Sequence, residues 1–204
     1  MLFAGALILM CIPVTLRELA IWSFYEVTPF WEDNGFSGGI NIGTVQAMQY
    51  LPGIIVQPFA GKFCDWLGSA RVVVATFVLM GLGFVFLGGT SPVILWTGLF
   101  LFGVGASSST VASETFMASL ASTQNRSLVY GVGLTVGIGL GGLMAGVSGW
   151  VVDSYGRDVL TGYRIWFVMT GLALMISTSL YMFMEKLRTR YAAGNFFDKV
   201  PARS

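Results

Sequence analysis

The chain has 204 residues, of which 55% are hydrophobic and only 10% charged, with 27 glycines and a net charge of +1. Soluble domains average roughly 25% charged residues and about 7% glycine, so a water-dispersed globule, a disordered tail and a collagen repeat are all excluded. The near-zero charge gives no field for nucleic acid, and the lack of histidine removes the usual proton shuttle and most zinc sites.

In chain order, six apolar stretches approach the roughly 20 residues that a helix needs to cross a bilayer. They are Leu2–Trp31, Ile42–Ala60, Val72–Gly89, Val93–Ser119, Leu128–Val152 and Ile165–Met184. Backbone groups in lipid must be satisfied internally, and the short alternating pattern of a membrane β-barrel is absent. The expected fold is therefore all-α integral membrane, a six-transmembrane-helix bundle over residues 1–184 with a cytoplasmic tail over 185–204. No catalytic constellation, metal site or cofactor is expected, and the chain does not read as an enzyme. Cys11 and Cys64 are far apart and read as packing residues.

The first stretch begins at Leu2 without a basic lead, which is unlike a signal peptide and suggests part of a longer protein or a compact half-size one. It lines up Cys11, Thr15, Glu18, Trp22 and Tyr25 on one face and also carries Arg17 and Glu26. An ionisable group at mid-membrane costs about 2.5–3.5 kcal/mol, so each needs a partner or a use. Arg17 and Glu18 are sequence neighbours, about 100° apart around an ideal helix, and are not expected to pair with each other. An Arg17–Glu114 pair, Glu18 facing water, and proton or cation carriage by Glu18, Glu26 or Glu114 stay open. Glu26 also suits the outer interface near Pro29 and Trp31.

The second stretch is the weakest, broken by Pro52 and Pro58, yet its Gln46, Gln49, Tyr50, Gly53 and Gln57 share one helical face. The third has no ionisable residue between its ends and suits lipid over much of its surface. Only Gly-Thr-Ser-Pro separates it from the fourth, which predicts an antiparallel hairpin. The fourth aligns Gly103, Ser107, Thr110 and Glu114. The fifth repeats small residues at Gly133, Gly137, Gly141, Ala145 and Gly149, with Gly142 and Gly146 beside them; this spacing lets helix backbones touch. The sixth again suits lipid. Three polar stripes, on the first, second and fourth helices, favour a shared wet cavity over isolated interhelical bonds.

Basic residues set the orientation. Lys62, Arg71, Arg126 and the tail's Lys186, Arg188, Arg190, Lys199 and Arg203 fall on one side, against Arg157 and Arg164 on the other. Both termini are therefore expected in the cytoplasm, and five of the six tryptophans lie near span ends, where indoles favour the lipid–water boundary.

After the second stretch, Gly61-Lys62-Phe63-Cys64-Asp65-Trp66-Leu67-Gly68-Ser69-Ala70-Arg71 resembles the G-x-x-x-D-x-x-G-x-x-R signature loop of the major facilitator superfamily. Gly61, Asp65, Gly68 and Arg71 fit; Trp66, Ser69 and Ala70 stand where the family has basic residues. Arg126, the glycine-rich fifth stretch and the Asp153…Gly156…Tyr163-Arg164…Phe167 run resemble later parts of a half in the same order. The resemblance spans nearly the whole chain and leans toward the second half of a full transporter.

It implies a gradient-driven secondary transporter in the plasma membrane, with this chain as one six-helix half and a second half fused, separate or a second copy. The solute, and possibly a coupling proton or cation, would pass Arg17, Glu18, Trp22, Tyr25, Glu26, Gln46, Gln49, Gln57, Thr110 and Glu114. Asp65 would hold a cytoplasmic gate through a helix N-terminus. Arg17 leans toward an anionic solute. The alternatives are a non-transporting assembly factor or receptor on the same half-bundle, and an inactive fragment of a longer transporter.

Overall fold

The computed structural model describes residues 2–33, 42–121, 126–155 and 158–191, and these fold into helices with no strand among them. The helices are α1 (Leu2–Asp33), α2 (Ile42–Leu67), α3 (Ser69–Leu87), α4 (Pro92–Leu120), α5 (Arg126–Ser154) and α6 (Val159–Tyr191). Four stretches, Ser69–Leu87, Pro92–Leu120, Arg126–Ser154 and Leu160–Thr189, are each long and apolar enough to cross a membrane. α1 and α2 are as long, and glutamines and prolines dilute the apolar character of α2. α2 runs unbroken through Pro52 and Pro58, although each proline removes one backbone donor. α6 continues beyond Met184 to Tyr191, helped by an Arg188–Glu185 pair at 2.7 Å one turn apart.

α3 packs extensively against α4 and α6, α1 against α5 and α6, and α2 against α4, whereas α1 touches α2 and α4 only sparingly. The α3–α4 hairpin forms as its short connection predicts, with Pro92 at the first helical position, where a missing N–H costs nothing. Glycines let these helices meet backbone to backbone. A Cβ on Gly83 would lie 2.5 Å from Phe102 N, and one on Gly171 2.5 Å from Gly81 O.

Two aromatic clusters fill the interior. Phe24 of α1, Phe102 of α4, Phe84 of α3 and Phe167 of α6 form one chain of ring contacts at 4.7, 4.9 and 5.5 Å. Tyr181 of α6 receives Phe77 and Phe116 edge-on at 5.2 and 5.3 Å in the other.

α3 leaves only part of its surface for lipid: 56% of its apolar stretch is buried, against 24% for α5. Hydrocarbon tails are as apolar as Leu, so a wholly apolar helix suits a protein neighbour as well as lipid. Gly81 and Gly83 decide the matter by admitting α6 and α4.

Candidate functional site

Arg17 and Glu18 sit near the middle of α1, 3% and 9% exposed. Contrary to expectation they pair with each other. Arg17 Nε donates to Glu18 Oε1 at 3.0 Å, and Nη2 donates to the same oxygen. Their Cα–Cβ bonds diverge, but the long guanidinium arm folds back across that angle. Glu114 is not its partner. Arg17 Nη1 is buried without a hydrogen-bond partner, and Glu18 Oε2 accepts no bond among the described residues. Tyr181, fully buried, lies close enough to feel the Arg17 charge, and its hydroxyl meets Ser113 Oγ of α4 at 3.4 Å.

Toward the other end of α1, Trp22 is 44% exposed, and Tyr25 lies beside it with ring centroids 6.4 Å apart, edge to face. The Tyr25 hydroxyl is hydrogen-bonded to that of Tyr50 on α2 and accepts from Gln49 Nε2 at 3.3 Å. Gln49 is buried, and its Oε1 has no partner.

The stripes on α2 and α4 are in part a packing seam. A Cβ on Gly53 would fall on the Ser107 side chain, and one on Gly103 on the Gln49 backbone. Gln46 is half-buried and Gln57 exposed. Thr110 is half-buried and donates to its own helix at Ala106 O, 3.4 Å away. Glu114 is half-buried and has no ion pair among the described residues; its backbone carbonyl accepts from Tyr130 of α5 at 2.6 Å. The Glu26 side chain lies outside the described residues.

The signature segment proves mostly helical. Gly61–Leu67 close α2, Ser69–Arg71 open α3, and Gly68 alone makes the turn at φ 84°. That backbone conformation favours glycine, and Gly68 N bonds back to Cys64 O at 3.0 Å. Asp65 and Arg71 are exposed, and Asp65 accepts no hydrogen bond among the described residues. Lys62 Nζ stands 5.2 Å from the Trp66 ring centroid, a cation–π contact. Gly61 opens onto free space.

On α5 the small-residue repeat divides. Gly133, Gly137 and Gly141 seat Met10, Val14 and Glu18 of α1, whereas Gly149, Gly142 and Gly146 have nothing within 4 Å of an added Cβ. Gly149 is therefore not a packing glycine within this bundle.

Tyr50, Tyr181 and Ser113 join the polar clusters without having been singled out as site residues. Tyr181 carries the one legible signal, a tyrosine well inside an apolar helix whose hydroxyl must find a partner. Among the described residues no cluster of His, Cys, Asp or Glu is placed to hold a metal ion.

A comparison with protein-family models matches the one described as Major Facilitator Superfamily over residues 3–200. Comparison with curated proteins gives no match.

Proposed function

The chain belongs to the major facilitator superfamily and is a multi-pass membrane protein of that transporter class, and we propose that it is one six-helix half of a gradient-driven secondary transporter. The observation that carries this reading is the sparsely packed seam between α1 and the polar helices α2 and α4. α1 has a polar and charged stripe, packs on α5 and α6, and barely touches α4 or α2, which carry the other polar stripes. Such stripes persist in lipid only where they meet protein or water. α3 and α6 back the assembly, α2 and α5 flank it, and a second half, fused, separate or a second copy, closes the front. Rocking of the two halves then exposes the seam to each side in turn.

On this reading Glu18 and Glu114 are the candidates for a coupling proton or cation. Asp65, exposed and without a hydrogen bond among the described residues, would meet a helix N-terminus of the other half. Both termini lie in the cytoplasm, as the basic residues on α3, α5 and the tail suggest, and the membrane is proposed to be the plasma membrane. No nucleotide-binding G-x-x-x-x-G-K-[ST] occurs, so the energy comes from a gradient.

The test is uptake into proteoliposomes holding this chain with its co-expressed neighbouring frame. Solute accumulation under an imposed ion gradient, without nucleotide, supports the reading. Failure of a broad solute panel to move or to stabilise the protein overturns it.

A further inference from the structure

Arg17 has lost its claim to an anionic solute. It is 3% exposed and Glu18 already holds two of its donors. Apart from the buried Arg17 Nη1, the ionisable atoms left open are acidic: among the described residues Glu18 Oε2 accepts no bond and the half-buried Glu114 has no ion pair. One helical turn beyond Glu18 on the same stripe stands Trp22, beside Tyr25, and across from them Tyr50, which is 52% exposed.

Aromatic faces of this kind carry negative potential and attract cations, with Trp the strongest. Gln49 spends its amide nitrogen on Tyr25, so its buried oxygen remains as an acceptor with no donor. A buried acceptor without a partner is costly, and a solute N–H would relieve that cost. An anion would meet no positively charged group among Trp22, Tyr25, Tyr50 and Gln49.

Resting on the transporter reading above, we propose that Trp22, Tyr25, Tyr50 and Gln49 form the recognition site for an organic ammonium solute. The apolar body of the solute lies against Trp22 and Tyr50, its charge sits over their faces within reach of the Glu18 carboxylate, and an N–H is donated to Gln49 Oε1. All four residues belong to α1 and α2 of this chain, so the site does not depend on the second half for its polar contacts.

The test is calorimetric binding to the purified chain in nanodiscs, with benzylammonium, benzyltrimethylammonium, benzyl alcohol and benzoate as probes. Benzylammonium should bind at least tenfold more tightly than benzyl alcohol, and benzoate should not compete. Trp22→Leu should weaken both cations by about tenfold, as loss of a desolvated cation–π contact does. Gln49→Leu should weaken benzylammonium and leave benzyltrimethylammonium, which has no N–H, unchanged. Trp22 is 44% exposed, so its variant is expected to keep the fold, and an unchanged thermal midpoint checks that. Equal binding of benzoate and benzylammonium, or cation binding indifferent to Trp22, overturns the proposal. If a neutral or anionic solute from the transport panel moves instead, the solute class is wrong and the transporter reading stands. If none moves, both fall.

Discussion

Gly141 and Gly142 are adjacent on α5, yet replacing each by Ala should have opposite effects. A methyl on Gly141 would run into Glu18 Cβ and stand 3.0 Å from Leu19 N and 3.1 Å from Glu18 C. The latter two are backbone atoms and Cβ is fixed to the backbone, so no side chain can swing clear; α1 must move off by about an ångström to reach ordinary van der Waals separation. Overpacking of this kind costs about 1–3 kcal/mol. A methyl on Gly142 meets nothing within 4 Å. Both substitutions gain the same helix propensity, about 1 kcal/mol, so the difference between them isolates the α1–α5 contact. At roughly 2–4 °C per kcal/mol for a chain of this size, Gly142→Ala should melt several degrees above Gly141→Ala in detergent. Scanning fluorimetry of both variants reads this directly. Equal midpoints would mean that α1 does not sit against Gly141 and would remove the support beneath the Arg17–Glu18 pair.

Glu18→Gln leaves the buried Arg17 charge without its counter-charge and should cost about 3–5 kcal/mol, with the Arg17→Gln/Glu18→Gln double variant recovering much of it; denaturation in mixed micelles compares the two. Asp158, exposed before α6, accepts from Thr161 N at 3.2 Å, and its hydrogen bonds to Thr161 hold its carboxyl below the ordinary carboxylate range. Its stabilising effect is then complete above the unfolded pKa and fades as the pH falls through the lower folded value. Asp158→Ala should therefore melt below the parent at pH 7, and the gap should close on strong acidification. With Cys11 and Cys64 replaced by Ser, single cysteines at Thr90 and Lys186, both exposed, should label from opposite sides of sealed cells; labelling from one side would refute the topology. Asp65→Asn should lower transport in the assembled protein and leave its thermal midpoint unchanged.

The sequence by itself determined the helices, the hairpin after α3 and the family. Long apolar stretches in lipid have one backbone solution, and Gly68 lies where only a left-handed turn joins two helices closely. It also marked α1, α2 and α4 as the polar helices, because an ionisable or amide side chain has nowhere to go in hydrocarbon. Tertiary structure decided which polar group meets which. Helix angle alone separated Arg17 from Glu18, and only the coordinates show a side chain folded back to its neighbour, with Tyr25 reaching Tyr50 across two helices. It also decided that α3 is more deeply buried than α5 and that Gly141 is a contact whereas Gly149 is open. Lipid tails and leucine side chains are alike in polarity, so an apolar sequence cannot say which of them it will touch; that is fixed by close packing, where one missing methyl admits a neighbouring helix.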